Sequence, residues 1–269
     1  MKRTREVFAA AAGFFIAVLL GTGGYAVAGH PFVTEDPETQ GKGNVEAEFS
    51  FGYRKADDGT KTSSLGNSFA LGVAPKLDLV IGYSYDFVKV PTGKDTRGMG
   101  DVEAQLKTYF NEHNGWMPSL GLKGGVSLPS EEGGQAAVLV TVPAEWEFEP
   151  FEVYASVGAD IGTRLAGNDE RTDLFRASVA GSWEVREKIY LVSELLWEKQ
   201  TSPSADSVLE GMIGAQWEIT EAMMLDAGIR AGLTEDSPDY TFLVGFTMYF
   251  TGDKPSGAPA GGIPPRSAK

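Results

Sequence analysis

Pairs of carboxylates two residues apart, such as Asp101/Glu103 and Glu145/Glu147, are the first features of this sequence that could do chemistry. Two carboxyls sharing one surface can divide the roles of general acid and general base. The acidic doublets Asp57-Asp58 and Glu131-Glu132 offer the oxygen donors that Ca²⁺ takes. Histidine occurs only at His30 and His113, so the chain has no histidine pair suited to a transition metal. The absence of cysteine removes thiolate nucleophiles, thiolate metal sites and disulfides.

A spacing of two puts both members of a pair on one face of a β-strand, and the elements around them read as strands. The last, Tyr240–Phe250, sets Phe242, Val244, Phe246, Met248 and Phe250 against the smaller or more polar Thr241, Leu243, Gly245, Thr247 and Tyr249. The same alternation recurs over 44–55, 63–74, 77–88, 101–110, 119–128, 136–148, 151–163, 174–185, 189–199, 208–219 and 223–234, about twelve strands in all. Only 189–199 blurs, where Leu195-Leu196-Trp197 hides the phase. Acids paired on such strands follow from the alternation itself. A wetted wall therefore accounts for them better than an acid–base site.

The connections fall into two kinds. Pro75-Lys76, Glu149-Pro150, Arg186-Glu187-Lys188 and Thr220-Glu221-Ala222 are tight turns, and only the turn that starts at Asn111 on that side is longer. The others, at 56–62, 89–100, 129–135, 164–172, 200–206 and 235–239, are longer and richer in charge, Gly, Pro and Ser. Outer-membrane barrels have this asymmetry, with the short side periplasmic. Phe110, Trp146, Phe148, Phe151, Trp183, Trp217 and Phe250 lie near the short turns, and Tyr53, Tyr85, Phe87, Trp197 and Phe242 near the long loops. Rings gathered at both ends of the strands are expected as two membrane-interface girdles.

The N-terminus carries an address. Lys2, Arg3 and Arg5 precede an apolar run at 7–20 and the small-residue site Ala26-Val27-Ala28, so 1–28 reads as a cleaved secretory signal peptide. Residues 29–43 are polar and expected as a periplasmic lead-in outside the strands. The stretch 251–269, with Pro255, Pro259, Pro264 and Pro265, is expected as a disordered Pro/Gly-rich periplasmic tail. A net charge of −14 argues against a nucleic-acid partner. No later run approaches the ~20 apolar residues of a membrane helix, so any crossing must be by strands.

Unpaired backbone groups cost several kcal/mol each in lipid, so a membrane sheet must close on itself. The expected fold is all-β: a closed antiparallel up-and-down transmembrane β-barrel over 44–250, in the bacterial outer membrane. Its partners would be lipid and lipopolysaccharide, the barrel-assembly machinery and a small-molecule solute. With apolar faces outward, the lumen would be lined by the acids Glu46, Glu48, Asp78, Asp86, Asp101, Glu103, Glu145, Glu147, Glu152, Asp160, Glu184, Glu194, Glu198, Glu210, Glu218 and Asp226. The bases there would be only Arg54, Lys107, Lys123, Arg176 and Arg230. Such an excess of acid fits an aqueous channel for cations or neutral solutes. The alternative is that the acids sit at the rim or pair with the bases around a narrow, plugged interior, in a structural or surface-binding barrel. An outer-membrane enzyme would need a base beside the outer leaflet, and neither His30 in the lead-in nor His113 in a periplasmic turn is placed there. No catalytic residue, metal or cofactor is expected.

The run His30-Pro31-Phe32-Val33-Thr34-Glu35-Asp36 followed by Gln40-Gly41-Lys42-Gly43-Asn44, with Gly98-Met99-Gly100-Asp101-Val102 and the block from Pro118 to Pro129, resembles a bacterial outer-membrane family. That family is named for the MetA pathway of phenol degradation and often called simply a transporter. The resemblance spans essentially all of the mature chain. It implies an outer-membrane barrel passing small solutes, hydrophobic or aromatic compounds among them, and brings no catalytic residues.

Overall fold

The computed structural model describes residues 30–130, 136–162, 173–201 and 206–251. Residues 1–28, expected as a signal peptide, Glu131-Glu132 and the expected tail beyond Thr251 lie outside them. The strands are β1 (Val45–Lys55), β2 (Lys61–Ala74), β3 (Leu77–Lys89), β4 (Thr96–Met99), β5 (Val102–Asn111), β6 (Ser119–Leu128) and β7 (Ala137–Phe148). They continue with β8 (Phe151–Gly162), β9 (Leu174–Arg186), β10 (Ile189–Gln200), β11 (Val208–Thr220), β12 (Met223–Gly232) and β13 (Tyr240–Phe250). Neighbouring strands pair antiparallel, and β1 pairs with β13 from Val45 opposite Phe250 to Lys55 opposite Tyr240. That pairing closes the sheet and leaves no edge to be desolvated.

The ring is a closed 12-strand antiparallel barrel, because β4 and β5 together form its fourth stave. β4 pairs with the Tyr85–Val88 half of β3 and β5 with its Leu77–Gly82 half, with Gly100 and Asp101 between them. Part of the connection 89–100, expected as a loop, thus extends the wall as β4. Gly100 lies against Ser84, where a Cβ would collide with the serine hydroxyl.

The burial pattern is that of a soluble protein turned inside out. Ile213 is 67% exposed while Met212 beside it on β11 is 2% exposed, and the same reversal runs round the ring. Val140, Val157, Leu195, Trp217 and Val244 face outward, whereas Asp78, Lys107, Glu194, Asp226 and Thr247 are buried. An exposed aliphatic side chain forgoes about 1.5–3 kcal/mol of transfer free energy, which only an apolar phase outside the barrel recovers. In β10, whose phase the sequence blurred, Leu191, Leu195 and Trp197 point outward and Val192, Glu194 and Leu196 inward.

Two-residue turns join β2 to β3, β7 to β8, β9 to β10 and β11 to β12. They share one end of the barrel with the start of β1 and the finish of β13, as the up-and-down order requires. At that end Phe151 stacks on Trp183 with centroids 5.8 Å apart, and Phe148 meets Trp116 at 6.1 Å. At the other end Tyr85 contacts Phe87 at 5.0 Å, and Tyr240 contacts Phe242 at 5.2 Å and Tyr53 at 6.4 Å.

Candidate functional site: the barrel lumen

The wall comes first. Glu46 and Glu48 on β1, Asp78 and Asp86 on β3, Glu103 and Lys107 on β5, and Lys123 on β6 share the inward face. So do Glu152 and Asp160 on β8, Arg176 on β9, Glu194 on β10, Glu210 on β11, and Asp226 and Arg230 on β12. Arg54 lies one residue before the end of β1 at the long-loop mouth and Asp101 sits in the break before β5, where Ser127 Oγ donates to it at 3.4 Å. The inward arginines of β9 and β12 are both paired with acids of the wall. Arg176 donates to Glu198 at 2.8 Å and reaches Asp160 at 2.7 Å, and Arg230 donates to Glu194 at 2.8 Å. At the short-turn mouth, two inward tyrosines cap acids: Tyr154 donates to Glu152 at 2.6 Å and Tyr190 to Glu218 at 2.9 Å.

The lead-in overturns the expectation made for it. Residues 30–43 are not outside the barrel; they run within it, without regular secondary structure, and Pro31, Thr34, Asp36, Pro37 and Thr39 are buried. Glu194 Oε1 accepts from Val33 N at 2.7 Å, Thr34 N at 2.6 Å and Thr34 Oγ1 at 2.7 Å. His30 Nδ1 lies 2.5 Å from Asp226, His30 N donates to Glu48 at 3.2 Å, and Gln216 donates to the His30 carbonyl at 2.9 Å. Asp36 pairs with Lys107 at 2.9 Å and Glu35 pairs with Lys123. Gln40 N then donates to Asp78 at 2.8 Å, and Gly43 N to the Gly72 carbonyl at 2.7 Å, handing the chain to β1. A segment with no apolar face has nothing to offer lipid, but its backbone and carboxylates satisfy a charged wall that water alone would otherwise solvate.

Wall glycines make room for it. A Cβ on Gly72 would run into Gly41 O, one on Gly121 would approach Pro37 Cα to 3.0 Å, and one on Gly245 would meet His30 Nδ1. Glu35, Asp36, Thr34 and Gln40 are therefore lumen residues missed on the sequence. The available signal was the set of glycines at inward positions. Of the two histidines, His30 is in the lumen and His113 is at the short-turn end against Phe148, 6.0 Å between centroids.

The lumen is narrowed but keeps open space. A cavity of ≈ 130 Å³ lies between the lead-in and the β1–β3 wall, lined by Glu46, Glu48, Ser68, Asp78 and Gln40 among others. A second of ≈ 120 Å³ lies on the other side of the lead-in, with Glu103, Lys123, Thr141, Asp160, Arg176 and Ser178 in its lining. Within the lead-in, burial pushes the Glu35 carboxyl up but the Lys123 and Lys107 ammoniums outweigh it and hold it below the usual range. Burial and then the neighbouring Asp36 charge push Glu38 up to about 7.

Solved structures with the same architecture include an outer membrane channel from Pseudomonas putida F1, 15% identical with a TM-score of 0.61, covering 84% of this chain and 100% of that one. The NanC porin is similar at 8% identity and a TM-score of 0.57, covering 75% of this chain and 98% of its own. The translocator domain of the autotransporter NalP from Neisseria meningitidis matches at 11% identity and a TM-score of 0.51, over 93% of this chain and 95% of that one. These likenesses are of fold, and with the outward apolar band they place this barrel in the bacterial outer membrane. The sequence itself matches the family described as "Putative MetA-pathway of phenol degradation" over residues 23–250, and the chain belongs to that family.

Proposed function

We propose that the protein is a passive outer-membrane channel for small solutes, with the lead-in forming its constriction. The observation that carries this reading is the cavity left between the lead-in and the β1–β3 wall, lined by Glu46, Glu48 and Asp78. A pore through this space, edged by carboxylates, would favour cations and neutral molecules and repel anions. Inward Ser64, Gly66, Ser68 and Ser84 supply small polar lining on the same side. Small neutral aromatics belong among the candidate solutes on the strength of the family's description. Swelling of liposomes containing the protein tests this: sugars, cationic amino acids and phenol should enter faster than anions of equal size. Entry of anions ahead of cations would refute the acidic lumen.

The pairing of both wall lysines with the lead-in favours a second reading, a structural barrel with a plugged lumen. Deletion of residues 30–40 separates the two. It leaves every barrel strand whole: a channel should pass solutes before deletion and widen several-fold after it, whereas permeation that appears only after deletion would establish the plugged barrel.

A further inference from the structure

Asp78 is fully buried, with 0% exposure, and only one of its carboxylate oxygens is satisfied. Oδ2 accepts from Gln40 N at 2.8 Å, while Oδ1 has no hydrogen-bond partner. A buried carboxylate oxygen left without a donor is costly, and such orphans call for a missing partner. The oxygen belongs to a residue lining the ≈ 130 Å³ cavity, which is space for several waters or one small organic molecule.

The charges around that cavity do not balance. Glu46, Glu48 and Asp78 contribute carboxylates from β1 and β3, and none of the three forms an ion pair among the described residues. The lysines in the lining are already committed, Lys107 to Asp36 and Lys123 to Glu35. Among the described residues Glu46 accepts from the neutral Gln40 amide at 3.0 Å and Glu48 from the His30 backbone N–H at 3.2 Å. A cationic partner with hydrogen-bond donors would answer both the orphaned oxygen and the excess of carboxylates. No group of three His, Asp or Glu among the described residues is arranged to hold a metal ion. A ligand that carries its own N–H donors spans wider carboxylate separations, and each N–H can reach a different oxygen.

We propose that this cavity is a binding site for a small organic cation with a primary ammonium or guanidinium head, held by Asp78, Glu46 and Glu48. The site deepens the channel reading and rests on it for the ligand's access from solution.

The test is calorimetric titration of the whole detergent-solubilised protein with ethylammonium chloride, paired with conductance of the same preparation in planar bilayers. Wild-type protein should bind one ethylammonium. Asp78→Asn, which keeps an oxygen for Gln40 N and removes the charge, should bind at least tenfold more weakly. Glu46→Gln should do the same, and guards against a folding defect peculiar to Asp78, with β-sheet circular dichroism confirming that each variant is folded. Absence of wild-type binding, or equal binding by both folded variants, overturns the site. Conductance without ethylammonium binding would leave the channel standing and the site refuted, whereas binding without conductance would uphold the site and refute the channel.

Discussion

Lys107 on β5 and Lys123 on β6 stand directly opposite each other in register, yet each is neutralised by a different residue of the lead-in. Asp36 takes Lys107 at 2.9 Å, and Glu35, its neighbour in sequence, takes Lys123. Like charges facing each other across a ladder repel. Consecutive acids in an extended chain point to opposite sides, so one pass of the lead-in relieves both lysines. The wall is complete only when the lead-in lies in it.

Asp36→Asn should free the lead-in. It leaves Lys107 buried without its counter-charge, and breaking a buried pair costs about 3–5 kcal/mol. The chain has no cysteine, so a Thr34→Cys substitution supplies a unique thiol for labelling. Maleimide should modify that thiol at least tenfold faster when Asp36→Asn is also present; an unchanged rate would mean that the pair does not hold the segment.

Docking should weaken as pH rises through neutrality. Burial first, then Asp36, Glu147 and Glu152 against the pull of Lys107, push Glu38 from 4.5 up to about 7. A raised carboxyl binds its proton more tightly docked than free. Its contribution is therefore full below 4.5 and lost as pH climbs through 7. Glu35, held low by its lysines, changes only in acid. Conductance and Thr34→Cys labelling should both be greater at pH 8 than at pH 5.5, and Glu38→Gln should flatten that difference.

Two wall glycines should respond differently to a methyl group. At Gly72 a Cβ would run into the Gly41 carbonyl, and backbone there cannot rotate aside as a side chain could. At Gly181 the nearest atom to a Cβ is Glu152 O at 3.7 Å, an ordinary contact. Gly72→Ala should therefore lower the melting temperature and expose the lead-in to protease, while Gly181→Ala should leave both unchanged or slightly raise the melting temperature.

The outward face should reject charge. Ile213→Arg places a guanidinium on the lipid side of β11, which costs about 2–4 kcal/mol near the bilayer midplane. Reversible folding into phospholipid vesicles should show that loss, whereas Gly211→Ala on the same face should fold with the wild-type free energy within about 0.5 kcal/mol. Equal free energies for Ile213→Arg and wild type would mean that this position is not in lipid.

The alternation of side chains was enough to determine the barrel. It is a local property with period two, written into each strand, and Phe242 to Phe250 or Val138 to Val142 show it without any partner in view. The outward band and the inward acids follow from that period and from the need to close a sheet in lipid. Where the period is blurred, at Leu195-Leu196-Trp197, pairing with β9 and β11 had to set the phase. The lead-in has no period at all. What places it are contacts far along the chain: Asp36 with Lys107, Thr34 with Glu194, and His30 with Asp226. Those residues come together only after the ring has closed and strand register has been set, because a lumen is a property of the closed ring and not of any stretch of chain. The inward charges were legible in sequence; which of them are neutralised, and by what, was decided by the tertiary structure.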